Sequence, residues 1–578
     1  MTPRNRRIRT SIFLRALVLA CLAATAAAAP DEPQSATFPV LIHVDGRKTL
    51  GELKPIWRFF GADEPNYATM KDGRRLLAAL GELRPRQVFF RAHNLLSTGD
   101  GTPALKWGST NIYTEDAQGN PIYDWRIIDG IFDSYIARGV RPFAEIGFMP
   151  QALSIEPLPY QHEWRPGLRY TGITAGWAYP PKDYDKWREL VYQWVKHCVE
   201  RYGQAEVEGW YWEVWNEANG AYWKGTPEEF YKLHDYAVDA VRRALPTARV
   251  GGPHTAGSGG SFMDGFLRHV VHERNYATGR IGTPTDFLAF HAKGLPTIVD
   301  GHVRMGISTQ LKTIDEGFRT IAAIPELKST PIYIGESDPE GCAACKGAQL
   351  GYRNGTMYSS YTAASFARLH QLADRYGVNL QGAVTWAFEF EDQPYFAGFR
   401  ALSSDGISLP VLNVFRMFSR MSGQRLETQS SSEVPLDAII DGGVRGAADV
   451  GAFASIDAQK LYVMVWHYHD DDIAGPGAAV TLELTGLKNV AGAANVTHYR
   501  IDENHSNAYR LWQRLGSPIA PDDDVYAQLL QAGELATLEQ PAPVQLRRGA
   551  GTIAFVLPRQ GVSLLVIDWS HNGSETRK

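Results

Sequence analysis

Residues 209–253 read GWYWEVWNEANGAYWKGTPEEFYKLHDYAVDAVRRALPTARVGGP, and they contain one complete folding unit. An apolar run, Gly209–Asn216, comes first and a second, Arg249–Pro253, comes last. Between them a helix start is marked by Thr226-Pro227-Glu228-Glu229: a capping Thr, Pro at the first helical position, and Glu three residues after the cap. Phe230, Leu233, Ala237 and Val241 then recur at helical spacing as a core-facing stripe. Working outward, the same kind of run occurs at Trp57–Gly61, Gln87–Ala92, Pro142–Gly147, Asp286–His291, Pro331–Gly335 and Gly382–Ala387. Each is followed by a segment able to hold a helix. Eight alternating β and α units imply parallel pairing and closure, so residues 56–424 are expected to form a (β/α)8 TIM barrel. The alternative, an open doubly wound sheet, needs a Gly-rich phosphate turn after its first strand, and none is present there. Gly257-Ser-Gly-Gly260 reads as a flexible loop.

Beyond residue 425 the texture changes. Ala447–Ile456, Lys460–Trp466, Ala479–Leu484, His498–Arg500, Thr552–Leu557 and Ser563–Asp568 read as strands separated by Gly, Asp and Pro, which predicts an accessory β-sandwich over residues 425–570 and a tail at 571–578. In the N-terminal segment 30–55, Thr37–Leu50 is expected to add a strand to it. Residues 1–29 have the pattern of an export signal: Arg4, Arg6, Arg7 and Arg9, an apolar stretch Ala16–Leu22 too short to span a membrane, and the small-residue run Ala23–Ala29. A secreted or periplasmic location is expected, without membrane insertion. Lipidation at Cys21 is a second reading of the same segment. The connection at residues 150–182 is unusually long and aromatic, with Gln161-His162-Glu163-Trp164, Tyr170, Trp177 and Pro180-Pro181, and it is expected to overhang the barrel mouth.

Formal charge is −5, and about −10 once the five arginines of the signal are removed, with no basic patch; nucleic acid is not an expected partner. Cys198 falls on a helical apolar stripe with Trp187, Val191, Trp194 and Val195 and reads as a buried thiol. Cys342 and Cys345 form a CxxC that reads as a local disulfide, a redox pair or half a metal site; no second pair or His cluster completes a zinc set, and neither metal nor cofactor is expected.

In such a barrel the chemistry gathers where strands end. Those ends carry Arg91, His93 and Asn94; Glu145; Asn216 and Glu217; His254; His291 and Lys293; Glu336 and Asp338; Trp386 and Glu389. Burying so many polar groups in a closed core is unfavourable, so they point to a solvated pocket. Glu217 and Glu336 close the fourth and seventh strands, on opposite walls. Two facing carboxyl groups are what glycoside hydrolysis needs: one protonates the leaving oxygen, and the other attacks or stabilises the anomeric carbon. Glu213 shares strand parity with Glu217 and reads as structural. His93, His254 and His291 are expected to line a sugar subsite, and Trp386 to be its stacking platform.

The segments Phe-Phe-Arg-Ala-His93, Pro-Phe-Ala-Glu-Ile-Gly-Phe-Met-Pro150, Glu-Val-Trp-Asn-Glu217, Ile-Gly-Glu336 and Tyr499-Arg-Ile-Asp-Glu-Asn-His-Ser-Asn-Ala-Tyr509 together resemble glycoside hydrolase family 39, the β-xylosidases and α-L-iduronidases, within the clan of retaining (β/α)8 glycosidases. The resemblance implies Glu217 as acid/base, Glu336 as nucleophile, and Asn216 as a hydrogen-bond partner of the sugar 2-hydroxyl. It implies an oligosaccharide substrate, with β-D-xylosidase the first expectation and α-L-iduronidase-like, α-L-arabinofuranosidase-like or β-galactosidase-like action as alternatives. A non-catalytic sugar-binding protein would be expected to lack one carboxylate, and both are present. Two departures stand out. Ala218 replaces the family's Pro, which should loosen that turn. Lys293, in Phe290-His-Ala-Lys-Gly294, matches an iduronidase Lys that binds the substrate carboxylate; it either favours a uronic acid or pairs with a pocket carboxylate such as Asp338.

Overall fold

In the computed structural model the described residues are 36–103, 105, 107–157, 176–386, 388–487, 492–538 and 543–570. The signal segment with Cys21, the tail, Gln161–Trp164, Tyr170 and Ala387 therefore lie outside them. From Thr37 onward the chain forms one compact unit. No helix among the described residues is long and apolar enough to cross a membrane.

Eight parallel strands close a barrel: Phe59–Ala62, Val88–Ala92, Val140–Ile146, Tyr211–Val214, Arg249–Thr255, Phe287–Lys293, Pro331–Asp338 and Asn379–Trp386. Neighbours around the barrel are neighbours in sequence, and the eighth strand closes onto the first through Val384, Thr385 and Trp386 paired with Phe59, Phe60 and Gly61. Side chains alternate in and out along each strand, so the interior is built in layers. Phe59, Phe89, Phe143, Tyr211, Phe287, Tyr333 and Val384 make an apolar floor, with the Tyr333 hydroxyl donating to that of Tyr211 at 2.8 Å. Two residues further along the same strands come Gly61, Arg91, Glu145, Glu213, Gly335 and Trp386. The floor is thus aromatic and the layer above it charged. The two glycines make room: a Cβ on Gly61 would collide with the Trp386 ring, and one on Gly335 with His254.

The helices close the outside. The Thr226 cap forms as its sequence dictates, with Glu229 N–H donating to Thr226 Oγ1 at 3.1 Å and Thr226 N–H to Glu229 Oε2 at 2.8 Å. The helix it starts, Pro227–Ala244, buries Phe230, Leu233, Ala237 and Val241 completely. Cys198 is a buried free thiol, and Cys342 and Cys345 are disulfide-bonded.

The accessory sheet has ten strands. Its path runs Ala536–Thr537, Gly492–Ile501, Val562–Asp568, Lys460–Tyr468, Asp449–Ile456, Gln424–Ser430, Thr37–Glu52, Gly477–Thr485 and Gly551–Leu557, with Val544–Leu546 paired to Gly492–Ile501. Thr37–Glu52 runs parallel to Gly477–Thr485 and antiparallel to Gln424–Ser430. Inward residues along the whole path, from Val40, Ile42 and Val44 to Val463, Leu482, Leu565 and Ile567, share one apolar core, so the sheet folds over on itself as a sandwich.

Candidate active site

Glu336 sits where the seventh strand is irregular. Ile334 pairs with Phe290 but Glu336 with His291, so Gly335 is an extra residue on that strand. Such a bulge re-aims the side chain that follows it. Glu217 follows the fourth strand with φ 45°, and Trp215 and His254 also lie in the left-handed region, at φ 69° and 49°. Strain of this kind costs about 1–3 kcal/mol per residue and persists where surrounding structure imposes it. Here the Glu217 N–H donates to the His254 carbonyl at 2.9 Å. The turn that Ala218 was expected to loosen is closed by Asn219, whose side chain donates to the Ala256 carbonyl at 2.9 Å and accepts from the Ala256 N–H at 2.8 Å.

Glu217 and Glu336 face each other with His291 between them. One side-chain oxygen of each Glu and one ring nitrogen of His291 all lie within 4.8 Å of one another. His291 Nδ1 is 2.8 Å from Glu217 Oε1 and 3.6 Å from Glu336 Oε1. Spacing alone would also suit a divalent cation. The cations already on Glu336 argue for another use: Lys293 Nζ donates to Oε2 at 2.5 Å, and Arg91 Nη1 to Oε1 at 3.3 Å. Burial opposes ionisation of Glu336, but Lys293, His291, His93 and Arg91 outweigh it and hold its carboxyl well below the usual range. The buried side of the site therefore presents an ionised carboxylate.

Arg91 is the hub beneath. It is fully buried and donates to Glu213 at 2.5 Å, to the Asn216 side-chain Oδ1 at 3.0 Å and to Glu336, with Glu145 at 3.2 Å. His93 lies 2.5 Å from Glu145 and 3.4 Å from Glu336. Burial disfavours its imidazolium, yet contacts to Glu145 and Glu336 raise its pKa to about 10. Lys293 also donates to Asp338 Oδ2 at 2.8 Å, and Asp338 Oδ1 accepts the Trp386 N–H at 2.9 Å. The pocket-carboxylate reading of Lys293 is the one this geometry displays.

Two of the residues expected to line the sugar subsite are placed differently. His254 is wholly buried against Glu213, which it contacts; burial holds it neutral, with its pKa lowered to about 4. Trp386 is 3% exposed, its ring covered by the Arg91 guanidinium at 4.9 Å and the His93 ring at 4.4 Å. It packs the floor and offers no open stacking face. Glu389 is also drawn away: it is buried, accepting from Ser403 at 2.5 Å and from the Gly406 N–H at 2.7 Å. His93 and His291 are within the cluster but almost inaccessible. Sequence reasoning placed Arg91 and Asp338 at strand ends and offered Asp338 as a partner of Lys293, but it gave Arg91 no role. Arg400 was missed altogether. It lies in the loop after the eighth strand, with no periodicity to flag it, and its guanidinium sits 3.6 Å from Asp338 and donates to the Trp386 carbonyl at 3.1 Å.

Residues 40–547 match the model of glycosyl hydrolases family 39. The chain belongs to that family. It is 27% identical over 421 residues to a β-xylosidase of Caldicellulosiruptor saccharolyticus, covering 71% of this chain and 76% of that one. It is 25% identical over 576 residues to the α-L-iduronidase of Homo sapiens, covering 92% of this chain and 79% of the other. The fold matches the crystal structure of a monomeric β-xylosidase from Caulobacter crescentus CB15 with a TM-score of 0.70 at 20% identity, covering 91% of this chain and 99% of that one. As a family 39 member, this protein is a glycoside hydrolase, and the carboxylate pair lies at the mouth end of its barrel.

Proposed function

We propose that this family 39 enzyme is a secreted, retaining exo-glycosidase acting on plant-type oligosaccharides, and that the sugar it removes is β-D-xylose. The carrying observation is the approach of Glu217 and Glu336 within 4.8 Å. Retaining glycosidases hold their two carboxyl groups about 5–5.5 Å apart, while inverting ones leave room for a water between them. Glu336, ionised and braced by Lys293 and Arg91, is the nucleophile. Glu217 is the acid/base; its side chain is 22% exposed against 8% for Glu336, which suits a group that meets first the leaving alcohol and then water. Protonation of the glycosidic oxygen by Glu217 accompanies attack by Glu336 on the anomeric carbon. Glu217 then takes a proton from the water that releases the sugar. Asn216, its side-chain Oδ1 held by Arg91, is left with its amide N–H groups to donate to the 2-hydroxyl.

The neutral sugar is favoured by the state of Lys293, whose ammonium is engaged by Glu336 and Asp338. Two β-xylosidases are among the relatives, covering 71% and 84% of this chain. The second reading, an α-L-iduronidase-like enzyme, is supported by the presence of that cation at the end of the sixth strand and by the human relative. Export rests on the basic, apolar and Ala-rich start of the chain. A panel of aryl glycosides tests the assignment. Hydrolysis of the β-D-xyloside, with the iduronide at least a hundredfold slower in kcat/KM, is expected; the reverse order would transfer the assignment to uronic acids.

A further inference from the structure

Asp63 follows directly on the first barrel strand, Phe59–Ala62, and its carboxylate lies 3.3 Å from His93 Nε2. The same ring nitrogen is 3.4 Å from Glu336 Oε1. His93 Nδ1 is taken by Glu145, so on the imidazolium it is the Nε2–H that points at both Asp63 and Glu336. One N–H thus joins Asp63 to the buried carboxylate of the site. Two main-chain contacts fix the position: the His93 N–H donates to the Ala62 carbonyl at 3.1 Å, and Asn94 Nδ2 donates to the Asp63 carbonyl at 2.9 Å. Neither depends on which side chain residue 63 bears. The Asp63 side chain is 12% exposed, against 8% for Glu336, 2% for His93 and nil for Glu145, so it stands nearer to solvent than the charged layer beneath.

The second strand, which carries His93, and the sixth, which carries His291, lie across the barrel from one another. Glu336 touches both rings, with His291 Nδ1 at 3.6 Å. Glu217 is on the His291 side, at 2.8 Å, and Asp63 is on the His93 side. A pyranose whose anomeric carbon meets Glu336 and whose glycosidic oxygen meets Glu217 therefore directs the opposite edge of its ring, at carbon 4, away from Glu217 and toward Asp63. A carboxylate accepts up to about four hydrogen bonds, so contact with His93 leaves it able to take a sugar hydroxyl as well. We propose that Asp63 accepts a hydrogen bond from the 4-hydroxyl of the sugar being removed and so selects a non-reducing end, an assignment that rests on Glu336 being the nucleophile and Glu217 the acid/base. A ring linked onward through oxygen 4 has no proton there to donate. It forfeits the contact and leaves the carboxylate facing an ether oxygen, which gives exo-action a physical cause.

The test compares 4-nitrophenyl β-D-xyloside with its 4-deoxy analogue, or the matching pair of α-L-iduronides where the β-xyloside is not cleaved, in the parent enzyme, Asp63→Ala and Asp63→Asn. In the parent, loss of the 4-hydroxyl is expected to lower kcat/KM by about tenfold to a hundredfold, as for a hydrogen bond to a charged group. In Asp63→Ala the intact substrate should fall by a similar factor, and the penalty for removing the hydroxyl should shrink to about threefold or less. Asp63→Asn, which keeps the size and an acceptor oxygen for His93, should give an intermediate penalty and supplies the reading if the alanine variant does not fold. A residue that only braced His93 would slow both substrates equally. An undiminished penalty in both variants, or no penalty in the parent, therefore overturns the role of Asp63. Parental turnover of the intact glycoside by Glu336→Ala would instead remove the nucleophile assignment on which that role rests.

Discussion

At the scale of single residues the site is a problem in charge balance. Glu336 is buried and ionised because Lys293, two histidines and Arg91 surround it, and Lys293 is shared with Asp338. Removing the ammonium in Lys293→Met leaves two buried carboxylates short of a partner, which costs about 3–5 kcal/mol. The pH effect has a definite sign. Lys293 lowers the Glu336 pKa, so its removal raises it, and the acid limb of the kcat/KM profile should move to higher pH. An unmoved acid limb would mean that Lys293 does not set the ionisation of Glu336. The two Glu residues were legible because each ends an apolar run, and Trp-Asn-Glu217 and Ile-Gly-Glu336 are distinctive neighbourhoods. Arg91 was harder to see. Its role depends on Glu145, Glu213 and Asn216 arriving from two other strands, which only closure of the barrel brings together. His254 and Trp386 were misplaced for a related reason: position at a strand end does not say whether a side chain faces the mouth or the layer below.

At the scale of elements, local chemistry and periodicity agree. The Thr226 capping box satisfies helix N–H groups that otherwise lack partners. Thr226→Ala is expected to lower unfolding free energy by about 1 kcal/mol with kcat/KM unchanged, measured by urea denaturation and aryl glycoside hydrolysis. A loss of activity without a loss of stability would show that this helix start positions the site. All eight barrel strands could be read as apolar runs, with ends displaced by a few residues. The short hairpin Tyr113–Glu115 with Pro121–Tyr123 and the strand Gln424–Ser430 were not read. The hairpin strands have three residues each, too few for a period to show. Gln424–Ser430 is mostly polar and owes its conformation to pairing with Thr37–Glu52 and Asp449–Ile456. The bulge at Gly335 was equally invisible, because it is defined by the neighbouring strand's register.

At the scale of the whole molecule, barrel and sandwich are joined by buried charge as well as by apolar contact. Arg368, on the helix Thr356–Tyr376, donates twice to Asp449 of the sandwich, both at 2.9 Å. Asp449 also accepts from Trp466 Nε1 and the Val434 N–H, each at 2.8 Å. Asp449→Ala leaves Arg368 with Glu433 as its one carboxylate and the Trp466 and Val434 N–H donors without their acceptor, so about 3–5 kcal/mol of unfolding free energy should be lost. A variant as stable as the parent would mean that the sandwich is held to the barrel by other contacts alone. The joint itself could not be read from sequence, since residues 368 and 449 lie on elements that each look complete in isolation.

The mechanism itself is tested most directly by azide rescue of the two carboxylate variants on an activated aryl β-xyloside. A small anion replaces whichever carboxylate is missing, and the anomer of the glycosyl azide reports which face it attacked. Glu336→Ala should be nearly inactive alone and yield an azide of inverted configuration; Glu217→Ala should yield one of retained configuration. Exchange of these two products between the variants, or parental activity in Glu336→Ala, would contradict the assignment of nucleophile and acid/base.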